Sequence, residues 1–302
     1  MPSLIKSLGI DLIFSPGGLV AGPGKHVTMC QNMLPFETNE MRRFGFSLTY
    51  FRYLMLRWWQ LISFQKAEGV IFLSNYALNK VTKNRHGVFE KIIIIPHGVN
   101  DSFFLKPRII SENKIKSKKE SIRVLYVSII NFYKHQWHVA EAVSLLKKAG
   151  FPIFLDLVGP AHPKALKRLI KTLGCIDNSE SYINYRGPVN YKVLPDVYKK
   201  ADLFVFASSC ENMPSILLEA MASGLPIACS NRGPMPEILG DAGVYFDPEQ
   251  PKEIASAIQL LINSPILREA KAYLAYERAK SFSWEKCGSE TFSFLAETAK
   301  SD

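Results

Sequence analysis

The segment DLFVFASSCENMPSILLEAMASGLPIACS, residues 202–230, decides the fold of this chain. It begins with an apolar run typical of a buried strand, DLFVFAS, and ends with a second such run, PIACS. Between them lies SILLEAMAS, whose residues favour a helix, and Gly224 follows as a stop signal. A buried strand, a helix and a second buried strand form a βαβ unit with parallel strands. The segment therefore predicts an α/β fold built on a parallel sheet.

The same alternation of strand and helix runs through the chain in two blocks, separated by the polar, lysine-rich segment SENKIKSKKES. In the first block the predicted strands cover 10–15, 26–30, 69–74 and 91–96, one long helix covers 39–69, and Asn75 caps the next helix. We predict two Rossmann-like parallel-sheet domains joined by an exposed linker. The predicted boundaries are 1–110 for the N-terminal domain, 111–121 for the linker, 122–281 for the C-terminal domain and 282–302 for a final helix.

Composition excludes several classes of protein. Hydrophobic residues make up 47% of the 302 residues, enough for a sizeable core, which argues against global disorder. The five cysteines form no CxxC pair, which argues against a disulfide framework or structural zinc and favours a reducing compartment. No apolar run approaches the ~18 residues of a membrane span. The first fifteen residues lack the layout of a signal peptide, so we predict a cytoplasmic protein.

The formal net charge of +10 indicates acidic partners such as anionic lipid or a phosphorylated small molecule. No nucleic-acid-binding motif appears, so we predict no nucleic-acid partner. Segment 41–66 is rich in aromatic residues and arginines, as a helix at a membrane surface would be. On a helical wheel its arginines do not gather on one side, so a helix covering the core is the open alternative.

The two acids of segment 202–230 stand on either side of a helix start. Pro214 and Ser215 begin the helix, and its first amides are free to bind an anion such as phosphate. Glu211 lies just before this start and Glu219 lies one turn inside the helix. Carboxylates repel phosphate but accept hydrogen bonds from the hydroxyls of a ribose or a sugar. The spacing alone leaves open a second interpretation, a capping loop with an exposed helical glutamate.

The stretch ENMPSILLEAMASGLPI resembles the Glu-x7-Glu signature of the retaining glycosyltransferases called glycosyl transferases group 1, or family four. Other segments resemble the family in the family's order, among them IIIIPHGVNDSFF, INYRGPV and FSWEKC. The resemblance implies the GT-B fold, with the final helix crossing back to the first domain. Compared with the family, we expect the first domain of this chain to be short of its first βα units. It also implies sugar transfer from a nucleotide-diphosphate sugar with retention at the anomeric carbon, without a cofactor or a bound metal.

The resemblance also implies roles for individual residues. Glu219 would hold the ribose hydroxyls and Glu211 the hydroxyls of the transferred sugar, while Lys134 would neutralise the departing diphosphate. Further donor-side positions are the amides of Ser215 and Ile216 at the diphosphate, the backbone of Val189 at the nucleobase, and Met213 in the loop after the first acid. Gln31 and Asn32 take the place of a family histidine on the sugar or acceptor side.

Besides the missing first βα units, two departures from the family pattern matter. Ile129 stands where the family usually carries an arginine for the diphosphate, and Pro214 has no N–H to offer the sugar. His135, His138 and Glu141 have helical spacing, but no fourth ligand supports them, so we predict no metal.

Two functions follow as hypotheses. The first is a glycosyltransferase of polysaccharide or cell-envelope biosynthesis, acting on a glycan or lipid-linked acceptor. It would be cytoplasmic, and at the inner face of the membrane if segment 41–66 binds lipid. The alternative is a truncated, catalytically inactive protein with a binding or scaffold role.

Overall fold

The computed structural model of the protein describes residues 8–19, 22–83, 89–107, 121–176 and 182–300. The chain forms two compact units. The first contains the chain up to Gly98, the loop Cys210–Met213 and the chain from Phe282 onward. The second contains Val99–Ser209 and Pro214–Ser281. The predicted linker lies outside the described residues except for Ser121.

The first unit is built on a four-stranded parallel sheet with the order β1-β2-β3-β4. Strands β2 and β3 are buried almost throughout, as continuous apolar runs predict for a sheet covered on both faces. The strands are β1 Leu12–Ser15, β2 Lys25–Cys30, β3 Gly69–Phe72 and β4 Ile92–Ile94. The helices are α1 Thr38–Arg42, α2 Leu48–Lys66, α3 Asn75–Thr82 and, from the chain's end, α11 Trp284–Lys300.

Two local predictions for the first unit are wrong. The single long helix over 39–69 is two helices, because Gly45 adopts a φ of +63° and Ser47 is extended. The Ser47 hydroxyl then accepts the amide of Tyr50 and starts α2 afresh. The cap of α3 is Ser74, not Asn75, since the Ser74 hydroxyl accepts the Ala77 amide at 3.2 Å.

Helix α11 packs within the first unit. Lys25 Nζ donates to the Ala299 carbonyl at 3.2 Å, and the Phe294 ring lies so close to Gly69 that an added Cβ would meet it at 2.8 Å. The His97 ring lies 5.2 Å from that of Trp284, between centroids. Among the described residues, no helix combines the length and the apolar character that crossing a membrane requires.

The second unit holds a six-stranded parallel sheet with the order β10-β9-β8-β5-β6-β7. The strands are β5 Ile122–Val127, β6 Ile153–Val158, β7 Ile183–Tyr185, β8 Leu203–Phe206, β9 Ile227–Ser230 and β10 Gly243–Phe246. The helices are α4 Gln136–Lys148, α5 Pro163–Ile176, α6 Leu194–Lys200, α7 Ser215–Ala222, α8 Met235–Leu239, α9 Pro251–Asn263 and α10 Pro265–Ala279. The prediction of two parallel-sheet α/β units is confirmed.

The strand order reverses between β5 and β8, and this switch point positions the site. From β5 the chain adds β6 and β7 on one side, then returns to add β8, β9 and β10 on the other. Helices after β5 and β8 therefore cover opposite faces, which opens a crevice at the carboxyl ends of these two strands.

Gly224 ends α7 for a steric reason. Its φ is +62°, and a Cβ there would lie 2.6 Å from the Leu105 carbonyl oxygen. The Leu105 amide in turn donates to the Ala222 carbonyl at 3.0 Å. The glycine predicted as a stop signal thus also lets a neighbouring segment pack against the end of α7.

Candidate functional site

The loops after β5 and β8 are hydrogen-bonded to each other at the switch point. The Ser209 amide donates to the Tyr133 carbonyl at 2.8 Å, and the Ser208 hydroxyl reaches the same oxygen at 3.3 Å. His135, the one described non-glycine residue with positive φ, lies 2.8 Å from the Ser209 hydroxyl through Nε2. Both loops are therefore held in place where a ligand of this fold would bind.

Lys134 places a positive charge at the end of β8. It ends a 3₁₀ turn over Phe132–Lys134, and its side chain is buried. Its ammonium lies 5.3 Å from the Tyr133 ring centroid and 5.2 Å from that of Phe206, the last residue of β8. These cation–π contacts hold a charge away from bulk water, where its attraction for an anion is stronger than at the surface.

Glu219 is a buried carboxylate in the middle of α7, with 6% exposure. The Tyr198 hydroxyl donates to its Oε2 at 3.0 Å, and Tyr191 forms a second hydrogen bond. Burial raises the pKa of Glu219 to about 7, against the smaller opposing effect of the two phenols. An alternative role as an exposed helical glutamate is therefore wrong for this residue.

The start of α7 offers backbone donors near this carboxylate. Pro214, the residue before the helix, is extended and supplies no side-chain cap. The first amides that bond back to the chain are those of Leu217 and Leu218, which reach the Pro214 carbonyl. The amides of Ser215 and Ile216 come before these, at the positions where a helix start binds anions.

The loop with Glu211 belongs to the first unit. The Asn212 side chain donates to the Cys30 carbonyl at 2.6 Å, and the Asn212 carbonyl accepts the Ser74 hydroxyl at 3.3 Å. These bonds anchor Cys210–Met213 beside the carboxyl ends of β2 and β3.

Gln31 and Asn32 follow β2 in the same unit. The Gln31 side chain is exposed and donates to the Met29 sulfur at 3.3 Å. Asn32 accepts the Leu34 amide at 3.0 Å and so starts the next turn. Neither residue is a proton-accepting base of the kind that a histidine would be.

The predicted site residues thus fall into two groups by unit. Gln31, Asn32, Glu211 and Met213 lie in the first unit, while Lys134, Val189, Ser215, Ile216 and Glu219 lie in the second. Sequence reasoning missed Tyr191 and Tyr198, the two partners of Glu219. Tyr191 stands only two positions after Val189, but nothing in its local pattern indicates a contact with a helix 28 residues further on.

The histidines near the site are structural. His138 Nδ1 bonds the Pro248 carbonyl at 3.0 Å, and His135 is held by Ser209. Within the described ranges, no group of three His, Cys, Asp or Glu side chains is arranged to hold a metal ion.

Ile129, at the position where the resemblance implies an arginine, is 36% exposed. Its carbonyl accepts the Gln136 side chain at 2.9 Å, so its backbone is fixed. We expect Ile129→Arg to tighten nucleoside-diphosphate binding by up to ~1.5–3 kcal/mol, the strength of a hydrogen bond to a charged group. Calorimetry at two salt concentrations measures this, because a direct phosphate contact weakens with salt. Ile129→Gln is the uncharged control, and an equal gain from it, or no gain from arginine, would contradict the prediction.

Comparison with known proteins identifies the family. The sequence pattern described as "Glycosyl transferases group 1" matches residues 108–278, more than half of the chain. The chain belongs to this family. O-antigen chain mannosyltransferase B of Escherichia coli is 37% identical over 170 residues, which are 55% of this chain and 44% of that protein. The chain therefore spans less than half the length of this curated relative.

Solved structures agree on the fold. Sucrose-phosphate synthase from Thermosynechococcus elongatus matches 98% of this chain and 75% of its own with a TM-score of 0.79 and 18% identity. Anabaena Alr3699/HepE, solved with UDP and glucose, matches 98% of this chain and 80% of its own with a TM-score of 0.74 and 17% identity. The two parallel-sheet units of this group 1 glycosyltransferase family member therefore have the GT-B fold.

Proposed function

We propose that this family member is a retaining glycosyltransferase that moves a sugar from a nucleotide-diphosphate donor to a glycan or lipid-linked acceptor of the cell envelope. The observation that carries the proposal is Glu219, a buried carboxylate in α7, the helix that follows β8 at the switch point. The similarity to an O-antigen mannosyltransferase, and to a structure that contains UDP and glucose, supports the donor and acceptor classes.

In this proposal, the second unit binds the nucleotide. Glu219 accepts the ribose hydroxyls, and the backbone of Val189 meets the nucleobase. The amides of Ser215 and Ile216 meet the diphosphate. These groups bind the donor before and during the reaction, so they contribute mainly to affinity.

Lys134 acts on the reaction itself. As the bond from the sugar to the diphosphate breaks, negative charge grows on the leaving phosphate, and a fixed ammonium stabilises that charge. Glu211, with Met213 in the same loop, serves the hydroxyls of the transferred sugar, and Gln31 and Asn32 serve the sugar or acceptor side. The mechanism as proposed needs no cofactor and no bound metal.

Calorimetry with UDP, GDP and ADP tests the donor class, and incubation with matching sugar nucleotides then tests chemistry. We expect one nucleoside diphosphate to bind and its sugar nucleotide to be consumed. Failure of the folded protein to bind any of the three would reject the proposal. Binding without transfer or hydrolysis of any sugar nucleotide would instead indicate the catalytically inactive alternative.

The exposed side of α2 suggests where the protein contacts the membrane that holds a lipid-linked acceptor. Apolar side chains that are at least one-third exposed occupy one side of this helix and the residues just before it: Phe46, Leu48, Phe51, Leu54, Met55, Trp58 and Trp59. We call this set the α2 apolar face. Its opposite side is buried through Gln60, Leu61 and Phe64, so the helix both covers the core and exposes an apolar surface.

The charges near the α2 apolar face indicate what kind of partner it binds. Between Glu40 and Glu68 the chain contains no acidic residue, whereas Arg52 is exposed on α2 and Arg42 is exposed at the end of α1. Exposed tryptophans flanked by arginines suit the interface of an anionic membrane, where rings enter the headgroup region and guanidinium groups meet phosphates. We infer that the α2 apolar face binds anionic lipid.

We expect Trp58→Ser with Trp59→Ser to weaken binding to vesicles containing anionic lipid by at least about tenfold, since each ring loses apolar burial. Vesicle sedimentation measures this, with zwitterionic vesicles and the Phe292→Ser variant as controls. Phe292 is 74% exposed on α11, outside the α2 apolar face. Equal binding by the double variant would contradict the proposal. If the wild type forms a dimer and the double variant, unlike the control, is a monomer, the α2 apolar face would be assigned to self-association.

A further inference from the structure

The two tyrosines that meet Glu219 differ in exposure. Tyr198 is fully buried and also reaches the Ile216 carbonyl, so its hydroxyl is part of the core. Tyr191 hydrogen-bonds to the same carboxylate although it is 53% exposed. The hydroxyl of an exposed tyrosine can hydrogen-bond to water and needs no partner in the protein. The bond from Tyr191 to a buried carboxylate is therefore not explained by burial of its hydroxyl.

The backbone and the ring of Tyr191 are both held in position. The residue opens a 3₁₀ turn over Tyr191–Val193, and the Asn190 side chain caps that turn by accepting the Lys192 amide at 2.9 Å. The Tyr191 ring lies 5.5 Å from that of Phe103, which also packs on Tyr198 at 5.6 Å. The ring is thus fixed on one side and open to solvent on the other.

The hydrogen-bonding capacity of Glu219 leaves room for a diol. An ionised carboxylate accepts about four hydrogen bonds. Tyr198 and Tyr191 supply two, and the two hydroxyls of a ribose would supply two more. A ligand that brings these hydroxyls to Glu219 would then lie beside Tyr191, the more exposed of the two phenols.

We infer that Tyr191 is a nucleotide-contacting residue whose hydroxyl shares Glu219 with the ribose and whose exposed ring forms a wall of the ribose site. The inference rests on the proposed function, because it takes the ligand of Glu219 to be a nucleoside diphosphate. It adds a residue that neither the acid spacing nor the helix start indicates.

The contact between Tyr191 and Glu219 also affects how nucleotide binding depends on pH. The Tyr191 hydrogen bond lowers the pKa of Glu219, against the larger effect of burial. Of the described residues packed around α7, Tyr198 and Tyr191 are the ones that act on this carboxylate. Removing the Tyr191 hydroxyl therefore leaves Glu219 less ionised at neutral pH. Nucleotide binding should then need a higher pH than in the wild type.

The test is the dissociation constant of the preferred nucleoside diphosphate, measured by calorimetry across neutral pH. We expect Tyr191→Phe to weaken binding about three- to tenfold at neutral pH, the range of one hydrogen bond, and to move the midpoint of the pH profile upward. With the 2′,3′-dideoxy nucleotide the same substitution should change affinity less than about twofold, since no ribose hydroxyl remains to share Glu219.

Tyr182→Phe is the matched control, because it removes a phenol of the same unit that bonds the Ile176 carbonyl at 2.9 Å. Unchanged affinity and an unchanged pH profile in Tyr191→Phe would overturn the inference alone. Equal losses for the ribose and dideoxy ligands would also overturn it, since they would indicate a structural effect. A wild-type protein that binds no nucleoside diphosphate would overturn both the inference and the proposed function.

Discussion

Glu219→Gln is expected to remove most nucleotide affinity while making the protein more stable above neutral pH. The carboxylate accepts the ribose hydroxyls in the proposed complex, and each hydrogen bond to a charged group contributes about 1.5–3 kcal/mol. Glutamine retains one weaker acceptor. We therefore expect the dissociation constant of the preferred nucleoside diphosphate to rise about 100-fold.

The stability gain comes from the linkage between protonation and folding. Burial raises the pKa of Glu219 from 4.5 in its ordinary state to about 7 in the folded protein. Between these two values the folded state binds more protons than the unfolded state, so this group lowers stability as pH rises. This rise in the pKa corresponds to a destabilisation of about 3 kcal/mol, which is fully present above about pH 8 and absent below about pH 4.

Denaturant unfolding at several pH values checks this. The advantage of Glu219→Gln over wild type should grow as pH rises from about 4.5 to 7 and then level off. Glu285→Gln, at an exposed glutamate, is the control and should show no such trend. A saturating nucleotide should reverse the order of stability, because it binds the wild type more tightly. A constant difference at all pH values would show that the carboxylate does not resist ionisation.

Lys134→Ala is expected to slow sugar transfer about 10²- to 10³-fold, the usual cost of losing a group that stabilises developing charge. Affinity for the intact sugar nucleotide should fall far less, since the charge on the leaving phosphate grows only during the reaction. Rates under saturating donor, measured with nucleotide release, separate the two effects.

Lys147→Ala provides the matched control for Lys134, because Lys147 also holds its ammonium over a ring, 5.6 Å from the Tyr182 centroid. It should leave the transfer rate unchanged. A loss in Lys134→Ala that appears entirely in affinity for the intact sugar nucleotide, with the saturated rate intact, would assign this lysine to ground-state binding. Lys134→Arg, which keeps the charge but changes its shape, should recover part of the rate.

The fold was predictable from sequence because its signals are local. The run DLFVFAS and the helix after it carry the βαβ pattern within 29 residues, and the structure has β8, α7 and β9 there. The helix break at Gly45 was missed because the apolar pattern continues through it, and only the positive φ reveals the turn.

The surroundings of Glu219 were not predictable in the same way. Its partners lie 21 and 28 residues earlier in the chain, on α6 and on the turn before it. They meet the carboxylate because β8 returns beside β5 instead of continuing next to β7. A crossover of this kind is set by the packing of the whole sheet, so no short-range pattern records it.

The contact between Gly98 and the start of α11 has a consequence for protein engineering. A Cβ on Gly98 would lie 2.1 Å from the Trp284 amide nitrogen, so the chain leaves the first unit at nearly the same point at which it re-enters. Apart from the loop Cys210–Met213, which belongs to the first unit, residues 99–281 therefore join the first unit at one junction. Segments whose two ends lie close together are the ones that tolerate exchange between proteins. Exchanging this stretch between relatives therefore requires Gly98 and Trp284 to be kept at the junction.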